Sequence, residues 1–205
     1  MLKMIYLAKR HPDFDREQFL VRWRQHGALA TEQPSWRHTQ LYVQSEPLAP
    51  APLVRASNAY DALAVFGFAP ELFTEQTEAD AASAEIMIED ELKTFAEPTF
   101  NHCLWVKQQV LRDGALGGVS AYLFYADAEE AATAGRQLAS ENVLHRVVLD
   151  LRDDSLLGAD AQTLEYQAVV ECSAGKLATL TDAVEFHANH ADLLLMTRDT
   201  VMWHG

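Results

Sequence analysis

The chain has 205 residues, 49% of them hydrophobic, enough for one large domain or two small ones around a sizeable core. Thirty acidic against sixteen basic residues give a formal net charge of −14. That field repels phosphate backbones and anionic bilayers, which argues against nucleic-acid and membrane partners. Cys103 and Cys172 stand far apart in apolar runs, without the spacing of a zinc site or the density of a disulfide scaffold, and read as small buried hydrophobes. No apolar stretch approaches the roughly 20 residues that span a bilayer. The segment from Met1 to Tyr6 runs straight into a strand-like pattern instead of a signal peptide, so the expected location is cytoplasmic.

In chain order, Lys3 to Lys9 reads as a strand closed by His11-Pro12. Asp15 reads as a helix N-cap with Gln18 completing a capping box. The helix carries Phe19, Leu20, Trp23 and Gly27 on one face, and Gly27 is expected to end it. His38 to Gln44 alternates as a second strand, and residues 45 to 57, with Pro47, Pro50 and Pro52, form an irregular excursion. Ala59 to Phe68 is a third strand. Glu78 to Phe95 is a second helix with Ile88, Leu92 and Phe95 on its apolar face, and Phe100 to Gln109 is a fourth strand. A glycine-rich linker over Asp113 to Gly118 follows, and the order repeats. Val119–Tyr125 reads as strand, Ala128–Ala139 as helix, Val143–Leu151 and Leu164–Cys172 as strands, Lys176–His190 as helix and Thr200–Trp203 as strand.

Two β-α-β-β-α-β units suggest an α+β protein of two tandem ferredoxin-like plaits, residues 1–112 and 118–205. Each plait covers one sheet face with its own helices, and the other half supplies the cover for the second face. The expected result is an intrachain pseudo-dimeric α+β barrel. Its open sheet edges would be the natural contact of a homodimer; a monomer is the other expectation.

Three stretches of the first half resemble the EthD domain of the dimeric α+β barrel superfamily. They are Lys3–Lys9 followed by Phe19-Leu20-Val21-Arg22-Trp23-Arg24-Gln25-His26-Gly27, then Tyr60-Asp61-Ala62-Leu63-Ala64-Val65-Phe66, then Asp90-Glu91-Leu92-Lys93-Thr94-Phe95. The second half lacks the Trp and the terminal His-Gly in its first helix. The resemblance therefore implies one functional pocket, in residues 1–112, with residues 118–205 as a degenerate structural partner. The superfamily includes cofactor-independent monooxygenases, lactone isomerases, polyketide cyclases and dehydratases, and membership does not choose among them.

His26, at the edge of the apolar helix face near its C-terminus, is the first candidate for chemistry. A histidine titrating near neutrality can move a proton between two atoms of a substrate; its competing role is capping free helix carbonyls. Glu91, beside the stripe of Ile88, Leu92 and Phe95, is the second candidate, set against a solvated helix face. Tyr6, Tyr42 and Tyr60 suit the wall of an apolar pocket, and Trp23, Trp36, Phe66, Phe73, Phe95 and Trp105 supply aromatic surface that could equally be core. His38 and His102 could line the same cavity as His26. His187 and His190 share a helix face but lack a third metal ligand, so no metal is expected. No G-x-G-x-x-G, P-loop or G-x-S-x-G pattern occurs, and no cofactor is expected.

The reading is a cofactor-free enzyme, of lyase or isomerase type, acting on a small, largely apolar organic molecule by proton transfer through His26. A cofactor-free monooxygenase and a non-catalytic binder of small hydrophobic ligands are the alternatives. A haem protein with His187 or His102 as axial ligand is a further class, since some relatives in the wider superfamily bind haem.

Overall fold

The computed structural model describes residues 2–156 and 163–205; Met1 lies outside them. Twelve regular elements follow one another: β1 (Leu2–Ala8), α1 (Arg16–Thr31), β2 (Thr39–Pro47), β3 (Ala62–Phe68), α2 (Glu78–Leu92), β4 (Cys103–Arg112), β5 (Gly118–Tyr125), α3 (Ala128–Ser140), β6 (Arg146–Arg152), β7 (Ala168–Ala174), α4 (Leu177–Ala188) and β8 (Leu193–His204). The strands close into one barrel in the order β1-β3-β2-β8-β5-β7-β6-β4, and every neighbouring pair is antiparallel. Within each half the strand order is the same, and two seams, β2 with β8 and β4 with β6, join the halves.

Closure corrects the expectation of open sheet edges, because each described strand has a neighbour on both sides. It also explains β8, which the sequence shows only as Thr200–Trp203. The strand starts earlier, at Leu193, and its Arg198 and Asp199 pair with both β5 and β2. No described helix is long and apolar enough to cross a membrane.

Alternation along the strands sorts the core. Ile5, Leu7, Leu41, Val43, Leu63, Val65, Leu104, Val106, Tyr122, Phe124, Val169 and Leu195 fill the barrel. The outward residues of β5, β6 and β7 meet α3 and α4, where Ala131, Ala134 and Leu138 lie flat against the sheet. The Pro-rich excursion after β2 crosses to this second half. Ala56 joins that core, and Ser57 N donates to the Leu194 carbonyl.

The first-half helices sit differently. Helix α1 begins as expected, with the Asp15–Gln18 capping box formed, and buries Phe19, Trp23, His26 and Gly27. Gly27 does not end the helix, which runs on to Thr31. A Cβ there would stand 2.9 Å from both Tyr42 Oη and Gln44 Nε2, so its role is close approach of helix to sheet. Gly27→Val is expected to destabilise the fold by about 1–3 kcal/mol through overpacking, read as a lower urea midpoint; an unchanged midpoint would refute the close-packing role.

Helix α2 ends at Leu92, short of the expected Phe95, and its orientation corrects the sequence reading. Ile88 and Leu92 are exposed, whereas Phe95 is buried beyond the helix end. The pattern Ile88-Leu92-Phe95 fits helical spacing, but the turn at Lys93-Thr94 breaks it. Polar contacts hold α2 against its neighbours: Arg37 Nη1 and Nη2 grip Asp80 at 2.5 and 2.6 Å, and Arg22 Nη2 meets Asp90 at 2.5 Å. The space left between α2 and the outer face of the sheet is the main cavity of the first half.

Candidate functional site

That cavity has a volume of about 350 Å³. Its floor is the outer face of β1, β2, β3 and β4, through Met4, Tyr6, Tyr42, Phe66, Phe68 and Trp105. Helix α1 contributes His26 and Ala30, α2 contributes Met87 and Glu91, and the short 3-10 turns Pro34–His38 and Pro70–Phe73 contribute Trp36, Leu72 and Phe73. The floor is aromatic because outward positions on four adjacent strands carry rings, Tyr6 on β1, Tyr42 on β2, Phe66 and Phe68 on β3, and Trp105 on β4. Tyr42 stacks on Phe66 at 4.3 Å between centroids, and Phe66 stacks on Phe68 at 5.4 Å.

His26 is the titratable group with a built environment. It is 6% exposed, packs edge-on against Phe95 at 5.3 Å, and its Nδ1 lies 2.7 Å from Asp90 Oδ2. Burial would raise the Asp90 pKa, but the hydrogen bonds from Arg22 and His26 outweigh it and hold the carboxyl below its ordinary value. An ionised carboxylate only accepts, so His26 Nδ1 carries the hydrogen and Nε2 is the ring nitrogen that Asp90 leaves unengaged. Arg22, one helical turn before His26, fixes the other Asp90 oxygen. The three side chains form a line, Arg22–Asp90–His26, that orients the imidazole.

Of the other expected site residues, Tyr6, Tyr42, Phe66 and Glu91 line the same cavity. Glu91 is engaged there: its carboxylate accepts from Thr99 N at 3.2 Å and Thr99 Oγ1 at 2.9 Å. Trp23 and Phe95 stand behind the wall in the buried cluster under α1, and Trp23 Nε1 donates to Tyr6 Oη at 2.9 Å. Tyr60 and His102 are elsewhere. They border a separate small cavity with Leu7 and Lys9, where His102 Nε2 lies 2.6 Å from Glu97. Tyr60 precedes β3, which starts at Ala62, so the expected strand position does not exist. His38 is buried and does not line the His26 cavity.

Sequence reasoning missed Asp90 as the partner of His26, naming it only as the neighbour of Glu91. The two are 64 positions apart, and no local spacing signals the contact. Arg22 was readable only as a charge on the helix surface.

The second half has its own groove, of about 430 Å³, between α3 and α4, lined by Tyr125, Glu129, Glu130, Phe186, His187 and His190 among others. Burial, with a lesser effect of His190, lowers the His187 pKa. No group of three or more His, Cys, Asp or Glu residues suited to a metal occurs among the described residues.

No family model matches the chain, and no curated protein matches it significantly. Solved structures do. A protein described as a "putative chlorite dismutase" superposes with a TM-score of 0.54 at 10% identity, covering 97% of this chain and 94% of that one. A "putative monooxygenase" from Fusobacterium nucleatum subsp. nucleatum superposes with a TM-score of 0.51 at 8% identity, covering 98% and 92%. What the chain shares with them is the fold. At such identity the likeness speaks to architecture alone.

Proposed function

We propose that the chain is an enzyme that moves a proton on a small, largely apolar organic molecule bound between α2 and the first-half sheet, with His26 as the base. The observation that carries this is the Arg22–Asp90–His26 line at an aromatic cavity: Asp90 fixes Nδ1 as the donor, so Nε2 is the atom free to take a proton. Lyase or isomerase chemistry, such as dehydration or double-bond migration, needs one such group. Glu91, turned to Thr99, serves in this reading as a wall and as local negative charge, beside Tyr6, Tyr42 and Phe66.

The EthD resemblance of residues 1–112 supports the same half as the active one. Residues 118–205 then form a second ferredoxin-like plait whose main task is to close the barrel, and the repeated strand order supports that division. With pairing completed inside the chain, a monomer needs no further partner for the site; a homodimer would contact through helices instead of strand edges.

The test is consumption of a panel of apolar lactones, enones and β-hydroxy ketones by wild type and by His26→Gln, followed by NMR. Wild type should convert at least one class, and His26→Gln should lose about 10²–10⁴-fold in rate. Equal rates would remove His26 from the chemistry. Consumption that requires dioxygen would favour a cofactor-free monooxygenase, and saturable binding without conversion would favour a ligand-binding protein.

A further inference from the structure

The polar atoms on the cavity floor can be accounted for hydrogen by hydrogen. Gln44 Nε2 lies 3.2 Å from the Trp23 carbonyl and 2.7 Å from Tyr42 Oη. A carbonyl can only accept, so the atom beside it must be the amide nitrogen, and the orientation of Gln44 follows from the contact. That nitrogen therefore donates to Tyr42 as well. Trp23 Nε1, which can only donate, gives its hydrogen to Tyr6 Oη. Both tyrosine oxygens are thus acceptors from fixed donors, and both keep their own hydrogens. One of these can pass to the other ring's oxygen; the second still needs an acceptor.

Both tyrosines line the cavity that His26 lines. Burial pushes both phenols above their ordinary pKa, so they stay protonated and remain donors. The position of Tyr42 Oη depends on the missing side chain at Gly27, the residue next to His26. Tyr42 Oη lies against Gly27, and Tyr6, Tyr42 and His26 share one cavity with Phe66, Phe68 and Trp105, whose apolar surround strengthens any charge–dipole contact made there.

We infer that Tyr42 and Tyr6 form a donor pair for a substrate carbonyl oxygen, and that the substrate class is a ketone, enone or lactone with an acidic C–H next to that carbonyl. This rests on His26 as the base. In the step, the C–H bond breaks and its proton goes to His26 Nε2. The bonding pair becomes the C=C of an enolate, and the carbonyl π pair moves to oxygen, which accepts the tyrosine hydrogen bond. Once Nε2 has swapped its proton with solvent, return to the same carbon gives exchange, and return to the vinylogous carbon gives isomerisation. Donation to a β-hydroxyl as it leaves gives water and an enone.

The experiment uses 2-tetralone in D2O with wild type, Tyr42→Phe, Tyr6→Phe and His26→Gln, each checked for an unchanged thermal melt. Deuterium entry at the activated carbon is followed by proton NMR. Wild type is expected to exceed buffer, and Tyr42→Phe to lower kcat about 10²–10³-fold with KM within about threefold. Tyr6→Phe should give a smaller loss in the same direction. If both phenylalanine variants exchange at the wild-type rate while His26→Gln does not, the donor pair is wrong and the base stands. If the phenylalanine variants fail and His26→Gln does not, the base is wrong and the donors stand. Wild-type exchange no faster than buffer overturns the carbonyl assignment.

Discussion

Lys3→Met is expected to cost about 3–5 kcal/mol of stability, measured as ΔG from urea unfolding. Lys3 is 2% exposed on β1 and points into the barrel, where its Nζ lies 2.7 Å from Asp150 on β6 and 2.6 Å from Glu171 on β7. Removing the cation leaves two acidic groups in the core with no positive charge beside them. The cost comes from that stranded charge, so the fully apolar variant Lys3→Met/Asp150→Leu/Glu171→Met should recover most of it. A Lys3→Met loss below about 1 kcal/mol would mean that the cluster is hydrated and weak.

The cluster also sets a direction for pH. Burial foremost, with the charge of Glu171 adding, pushes Asp150 well above the usual carboxylate range despite Lys3. The Lys3 pKa is raised as well, since the two carboxylates outweigh its desolvation. A raised folded value means that Asp150 binds its proton more tightly in the folded state than in the unfolded chain, where a free aspartate titrates near pH 4. Stability from this site is complete below that point and declines as pH rises toward the folded value. Asp150→Asn should flatten this decline. Asp90 acts in the opposite sense: its depressed value contributes stability above its unfolded pKa, which is lost on acidification through the folded value.

Asp90→Asn is expected to lower turnover about 10²–10⁴-fold while the fold persists. Asparagine can present an N–H to Nδ1. The imidazole then takes the other tautomer, with its hydrogen on Nε2, where a base needs a lone pair. The decisive measurement is the pH profile of turnover beside His26→Gln. Loss in Asp90→Asn with a displaced pH profile identifies Asp90 as an orienting group, and wild-type rates would refute the role. Arg22→Leu should give a smaller effect, because it frees Asp90 without reversing the tautomer.

Much of the element order was legible because it is local. The Asp15–Gln18 capping box, the alternation of β2 and the glycine linker depend on residues within a few positions of one another. What escaped depends on closure. Lys3 reads as one polar position in an apolar strand; its meaning comes from Asp150 and Glu171, which only the β4–β6 seam brings near. The Asp90 contact was hidden because α1 and α2 bring together residues 64 positions apart with no local spacing to signal it. Tyr60 and His102 were misplaced because the path of the chain before β3 and β4 follows loops and a short 3-10 turn, Thr99–His102, with no periodic pattern to fix them.

The seam between β2 and β8 pairs Leu41 with His204 and Pro47 with Thr197. During synthesis β2 is made early and its second neighbour last, so one flank of β2 is without its partner for most of that time. Such late, distant pairing slows folding and exposes an unpaired edge to other chains. Aggregation should therefore be decided during translation and refolding more than in the finished barrel. Truncations that remove residues 193–204 should yield insoluble protein even though the His26 cavity lies in the other half.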